Sequence, residues 1–242
     1  MKRTGWPGAA ALATELLVVF IGLFAALQLD DWRDRREQSK TETIYLRRLS
    51  EDLHAYVESL EVVLPNLESH RRAVQHVSDS LAAGKILNGD AELFEAGLIY
   101  AAHLPSLKTP SSAYQEMVAS GVFARLQSTE LQKAVAELYA TQAMVEANFT
   151  WWRQGPIELE RDYQPYVEYY SVGPRVKSTD LRAKSDEARA RYDFEALRAR
   201  PEIRNGFYWA ADTHGDWVEW STQLLDLART ADAAVTKELA TR

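Results

Sequence analysis

The chain of 242 residues contains no cysteine. Disulfides, thiolate metal sites and cysteine nucleophiles are therefore excluded, although the compartment is not fixed, because either side of a membrane tolerates a cysteine-free protein. Residues that break regular structure are also scarce, with only 11 glycines and 8 prolines. Since alanine, leucine, glutamate and arginine are abundant, helix is the expected structure over most of the chain.

Positive charge is in short supply as well, and the formal net charge is −7. An acidic protein is a poor ligand for nucleic acid, so no nucleic-acid partner is expected. The sequence contains no glycine-rich phosphate loop, no nucleophile elbow and no His-Glu-x-x-His motif. No two histidines have the i,i+4 spacing of a helical metal site; they are His54, His70, His76, His103 and His214. We therefore expect no enzyme activity, no cofactor and no metal.

One long apolar run extends from Ala9 to Leu29 and carries a single ionisable residue, Glu15. As a helix it would be about 31 Å long, which matches the hydrocarbon thickness of a bilayer. Trp6 and Trp32 flank the run, where indole rings favour the membrane interface. The sequence predicts a short basic tail over residues 1–8 and a retained transmembrane helix over 9–29.

Glu15 is costly inside a membrane unless it has a partner, so its position needs an explanation. Helical spacing puts it on one face with small residues, in a stripe made of Ala11, Glu15, Val18, Gly22 and Ala26. Small residues four apart allow close approach of another helix, so we expect this stripe to pack on other integral membrane proteins. Two alternatives are snorkelling of Glu15 to the nearer interface, and a proton or ion relay through it.

The residues after Trp32 predict a juxtamembrane amphipathic helix over 30–64, which Pro65 breaks or kinks. Its apolar face follows a heptad: Leu46, Leu49, Leu53, Tyr56, Leu60 and Val63. Such a stripe is buried either within its own domain, which the short length favours, or in a homodimeric coiled coil.

Residues 65–242 predict a helical extramembrane domain, so the fold class is an all-α helical bundle behind one membrane helix. No alternating strand pattern is evident, and a linker is expected at 171–184. The expected helix signals are a stop at Gly84, an Asp90 cap before Ala91–His103, a helix Ser111–Ser120 followed by Gly121, a capping box at Thr129 and Gln132, a stop at Gly155-Pro156, a helix Ile157–Tyr170, an Asp193 cap, and a last helix from Pro201.

Aromatic side chains are concentrated in the second half of the chain. A shared core between the late helices would bury many of them. Not all can point into one core, however, so some should form a docking surface on a protein partner. The candidates for docking are Trp151, Trp152, Tyr169, Tyr170, Trp209 and Trp220.

The segments Glu15–Val19, Ile21-Gly22 and Ala26–Gln28, followed by Trp32, Tyr45-Leu46, Leu49 and Leu53, resemble an uncharacterised family of bacterial single-pass membrane proteins. A second similarity involves Tyr114–Met117, Ser120-Gly121, Leu126, Leu131 and Leu138-Tyr139. The resemblance implies a bacterial inner-membrane location with the helical domain in the periplasm. Counting basic residues around the run favours the cytoplasm instead.

Together these features predict a non-enzymatic, membrane-anchored accessory subunit of a larger membrane protein complex, in contact with lipid and with other membrane helices. One alternative is an ion-coupled or sensory membrane protein that uses Glu15. A second alternative is a tethered periplasmic enzyme, which would carry a polar pocket with perturbed carboxylates.

Overall fold

The computed structural model describes residues 8–107, 110–171 and 188–242, with side chains described from Thr14 onward except at position 31. Its elements are α1 (Gly8–Ala83), a 3₁₀ turn (Leu87–Gly89), α2 (Ala91–Tyr100), α3 (Ser112–Ala119), α4 (Val122–Arg125), α5 (Thr129–Tyr163), a 3₁₀ turn (Gln164–Tyr166), β1 (Val167–Ser171), β2 (Ala188–Tyr192), α6 (Phe194–Arg198) and α7 (Pro201–Ala240). The predicted all-α helical bundle is confirmed, and the short β-hairpin is its one exception among the described residues.

Helix α1 is 76 residues long, about 114 Å at 1.5 Å per residue. It passes through Pro65 without ending, so the predicted break is wrong. A proline removes one backbone hydrogen bond, but Leu60 and Leu67 on either side are each only 1% exposed and hold both flanks in the core. Packing therefore overrides the local signal.

The bundle is built from the second half of α1 together with α5 and α7. Helix α7 runs antiparallel to α1, since Glu42 pairs with Arg242 and Glu61 pairs with Arg229. It also runs antiparallel to α5, because Lys237 pairs with Glu130 near one end while Gly206 packs on Leu159 near the other. Helices α2 to α4 cover the remaining sides.

The heptad stripe of α1 lies inside this bundle. Leu46, Leu49 and Leu53 are fully buried, and Tyr56 and Leu60 are nearly so. The intramolecular option is therefore the one that the structure adopts. A face occupied in this way by the chain's own helices is not available for a coiled coil with a second copy.

Helix caps follow their local signals closely. The carboxylates of Asp90 and Asp193 each accept a hydrogen bond from a backbone N–H three residues on, both at 2.9 Å. The expected cap at Thr129 is wrong by one residue, because the hydroxyl of Ser128 accepts from the Leu131 N–H at 3.2 Å. Helix α2 ends at Tyr100 rather than His103.

The largest differences from the expected elements lie around α5. The helix continues through Gly155-Pro156 to Tyr163, so neither the predicted stop nor a separate helix Ile157–Tyr170 exists. Residues 167–171 instead form β1, which pairs antiparallel with β2 and places Tyr169 opposite Ala190. In β1 only Val167 is buried, so the alternation that marks a strand never arises. Of the expected linker at 171–184, only Ser171 is described, as the last residue of β1. The remainder lies outside the described residues.

The apolar core is divided into two clusters along the bundle axis. The neck-side cluster lies at the end where the first half of α1 leaves the bundle, and it includes Leu46–Leu67 of α1, Leu104–Val145 and Trp217–Val235. The far cluster lies at the other end and includes Val74–Leu81 of α1, Phe94–Ala101 and Ile203–Ala211. Between Leu67 and Val74 of α1, Ala73 is the one buried apolar side chain, and between Ala211 and Trp217 of α7 there is none.

Candidate functional sites

The first half of α1 projects from the bundle. Every described side chain from Thr14 to Thr41 is exposed. Residues 14–29, the apolar segment, include side chains 57% to 69% exposed: Leu16, Leu17, Val18, Val19, Phe20, Ile21, Leu23, Phe24, Leu27 and Leu29. Contiguous apolar surface of this extent is unfavourable in water and marks an interaction site. In the described part of the chain, no helix is both long and apolar enough to cross a membrane.

The predicted stripe lies on this segment. The structure places Glu15, Val18, Gly22 and Ala26 on one exposed face, and a Cβ at Gly22 would have nothing within 4 Å. Ala11 belongs to α1, but its side chain is not among those described, and Trp6 lies outside the described residues. Nothing in the described part of the chain hinders a close approach of another helix to this face.

A polar neck, residues 30–41, joins the apolar segment to the bundle. Trp32 lies at its start, 55% exposed, with the Arg36 guanidinium 5.2 Å from its ring centroid. Glu42, which follows the neck, is the first buried residue among the described side chains of α1. Arg242 donates a hydrogen bond of 2.8 Å to Glu42 and one of 3.0 Å to Glu238. These ion pairs fix the neck to the end of α7.

The candidate docking aromatics fall into two groups. Trp151 and Trp209 are 73% and 63% exposed, and Tyr169 and Tyr170 are 39% and 38% exposed. Trp152 and Trp220 instead pack together against the neck-side cluster, with ring centroids 6.0 Å apart. These two are therefore partly buried, while the other four remain accessible. Tyr208, which the sequence did not single out, is 60% exposed beside Trp209.

Metal ligands and cavities are the features of the described residues that bear on catalysis. No group of His, Asp and Glu side chains among them has the arrangement of a metal site. A cavity of about 240 Å³ opens between Phe149 and Trp217. Its central polar side chain, Gln142, is already engaged with the Tyr56 hydroxyl, the Leu107 carbonyl and Glu146. Gln142 thus has a structural role in the wall of this cavity.

Three histidines occupy the level between the two core clusters, and we call them, with Tyr100, the histidine layer. The His70 ring of α1 stacks on Tyr100 at 3.8 Å and meets His103 edge-on at 5.4 Å. From α7, the Nε2 of His214 donates a hydrogen bond of 3.1 Å to the Ala101 carbonyl. The Nδ1 of His70 is buried and has no hydrogen-bond partner among the described residues.

The surroundings keep this layer neutral. Burial, together with the nearby rings of His103 and His214, lowers the pKa of His70 to about 3. Burial also lowers the pKa of His103, with a further contribution from the Arg153 charge on α5. For His214, burial lowers the pKa against the opposing effect of its backbone hydrogen bond. Each ring is therefore uncharged at neutral pH.

Sequence reasoning missed this layer because its members come from three separate elements. A signal was nevertheless present. His70 lies between Leu67 and Val74, and His214 between Ala210 and Trp217, so each interrupts the buried face of a long helix. Two such interruptions on different helices indicate a polar level in the core. The local sequence does not show, however, that the two histidines lie at the same level of the fold.

These features define a helical bundle protein with a projecting apolar helix. By sequence, the chain belongs to a family of unknown function, DUF6090, which matches residues 15–145. The matched range begins at Glu15 and runs through the neck, the rest of α1 and helices α2 to α4 into α5. No curated protein and no solved structure matches the chain.

Proposed function

We propose that this protein is a non-enzymatic, single-pass membrane subunit that packs on a larger bacterial membrane protein complex and stabilises it. The observation that carries this proposal is the exposure of the apolar segment on all its sides. A helix that docks on one protein needs an apolar stripe, whereas a helix in lipid needs apolar residues all round. We therefore assign most of this surface to lipid.

The boundaries of the segment support this assignment. The apolar residues give way at Asp30 to a neck that is polar on every side, and Trp32 lies at the junction, where an indole ring favours a membrane interface. The apolar run of the sequence starts at Ala9, ahead of the first described side chain at Thr14. We propose residues 9–29 as the membrane-spanning part.

The stripe of Glu15, Val18, Gly22 and Ala26 is the exception on this helix. In lipid, a carboxyl group without a partner costs a few kcal/mol. A neighbouring membrane helix that donates a hydrogen bond to Glu15 removes this cost, and the small residues Gly22 and Ala26 let its backbone come close. The stripe is thus the surface that we propose for the partner complex.

The bundle supplies a second contact. We propose that it lies on the periplasmic side, held about 18 Å from the membrane by the neck. Trp209 and Tyr208 lie near the start of α7, at the end of the bundle remote from the neck, about 50 Å further along the axis. At that distance they contact protein rather than the anchoring bilayer, in keeping with the role of Trp and Tyr as interface anchors.

The anchor is tested by flotation of the purified full chain with liposomes. We expect the chain to float and a variant with Ile21→Arg and Phe24→Arg to stay in the dense fraction, since each charge in the span adds about 3 kcal/mol. The matched control carries Ser39→Arg and Thr41→Arg in the exposed neck and should float. A wild-type chain that remains monodisperse in the dense fraction contradicts the anchor.

The partner and the side of the membrane need two further measurements. Gentle solubilisation from native membranes should give the chain together with other integral membrane proteins, and a chain that purifies alone contradicts the subunit role. Because the protein has no cysteine, a single Glu137→Cys variant reports topology. Its thiol should react with a membrane-impermeant maleimide in intact spheroplasts, and reaction only after lysis contradicts a periplasmic bundle.

A further inference from the structure

The histidine layer divides the bundle in a way that apolar packing alone does not require. On α1 the core passes from Leu67 to Val74 across His70, and on α7 from Ala211 to Trp217 across His214. We propose that this layer is a pH-sensitive joint, at which the neck-side and far halves of the bundle separate when the histidines become protonated.

Each long helix carries a residue that weakens its backbone at this level or just before it. Pro65 precedes His70 on α1, Gly155-Pro156 follows Arg153 on α5, and Gly215 follows His214 on α7. Each proline removes one backbone hydrogen bond, and a mid-helix glycine costs up to about 1 kcal/mol relative to alanine. A Cβ at Gly155 or Gly215 would have nothing within 4 Å, so packing does not demand glycine at either position. The backbone is weak where the core is divided.

The charges around the layer make protonation unfavourable in the closed bundle. The groups facing it are His70 from α1, Tyr100 from α2, His103 from the segment after α2, Arg153 from α5 and His214 from α7. Asp212, Asp216 and Glu219 of α7 act on one another. In the described part of the chain, no carboxylate pairs with a histidine of the layer. A proton gained there meets Arg153 and the other rings without a counter-ion.

In the closed bundle, protonation of these rings is unfavourable. When the joint opens and water hydrates the rings, this free-energy penalty disappears, so acid favours the open form. With a closed-state pKa of about 3 for His70 and an ordinary value near 6.5 when hydrated, the opening constant should rise about 30-fold between pH 7.5 and pH 5 from this group alone. His214, which is only 1% exposed, acts in the same direction, whereas His103 is already exposed in the closed bundle.

Hydrogen exchange of the full chain in mild detergent, corrected for the intrinsic pH dependence, measures this opening. Amides around Ala101 to His103 and around Gly215 should be less protected than those of Leu53 and Leu98 in the two clusters at both pH values. Protection in the layer should fall about 30-fold from pH 7.5 to pH 5. Equal protection of layer and clusters at both pH values, or a layer protection that is independent of pH, overturns the joint.

Variants separate the joint from a merely buried ring. His70→Phe keeps a ring that can stack on Tyr100 but cannot take a proton, so the layer should lose much less protection at pH 5 than in the wild type. If that variant fails to fold, His70→Gln tests the same point. His54→Gln, at an exposed position on the same helix, should keep the wild-type loss of protection. A folded layer variant with the full wild-type acid response contradicts the proposal.

Discussion

Acid should destabilise the bundle through His70 even where the joint stays closed. The folded protein holds this ring neutral, with a pKa of about 3, whereas the unfolded chain binds a proton near pH 6.5. The unfolded state therefore binds more protons below pH 6.5. The contribution of the neutral His70 ring to the free energy of unfolding is complete above pH 6.5. It declines as the pH falls and is lost almost fully near pH 3.

The size of the effect follows from the same two values. One pKa unit corresponds to 1.36 kcal/mol, so the full loss is about 5 kcal/mol, of which about 2 kcal/mol is reached at pH 5. Carboxyl groups of ordinary pKa near 4 stay mostly ionised above pH 5, so the window from pH 7.5 to pH 5 reports mainly on histidine. A loss of about 2 kcal/mol is large beside a typical stability of 5 to 15 kcal/mol.

Equilibrium unfolding of the full chain in urea, followed by tryptophan fluorescence at several pH values, measures this loss. His70→Phe should be less sensitive to acid by about 2 kcal/mol at pH 5, while His54→Gln should follow the wild type. A free energy of unfolding that is constant from pH 7.5 to pH 5 would refute the reasoning, as would a His70→Phe variant with the wild-type slope.

Three further changes test packing, the neck and the stripe. Gly97→Ala should lower the free energy of unfolding by about 1–3 kcal/mol, because its Cβ would overlap the backbone of α1. Gly215→Ala should instead raise the free energy of unfolding by up to about 1 kcal/mol, because its Cβ has room. Urea unfolding measures both changes, and equal effects would contradict the packing described for Gly97. Glu42→Gln should lower the free energy of unfolding by about 2 kcal/mol, because Arg242 loses its buried carboxylate partner. An unchanged urea midpoint would show that this ion pair does not secure the neck. Glu15→Gln should keep the co-purifying partners, since an amide still forms a hydrogen bond, and their release would favour a charged or titrating role.

Local chemistry carried much of the fold prediction. The caps at Asp90 and Asp193 satisfy backbone donors within three residues, so sequence alone identifies them. The heptad from Leu46 to Leu60 identifies the buried face of α1, although not the helices that cover it. Signals of this kind depend on neighbours in sequence, which is why they are readable without a structure.

Other features depend on contacts that are distant in sequence. Pro65 and Pro156 are strong local stop signals, yet packing on both sides holds their helices together. The hairpin pairs residues about 20 positions apart and buries only Val167 of β1. His70 and His214 come to one level of the bundle through the antiparallel pairing of α1 and α7, so the histidine layer becomes visible only in the folded chain.

The central claim is that the apolar segment lies in a membrane and presents one face to a protein partner. Single photo-crosslinking residues at Val18 and Gly22, on the stripe, and at Phe20 and Phe24, on the opposite face, test it directly in native membranes. The account predicts protein adducts from Val18 and Gly22. From Phe20 and Phe24 it predicts lipid adducts and no protein adducts. Recovery of the chain outside the membrane fraction, or the same adducts from both faces, would contradict it.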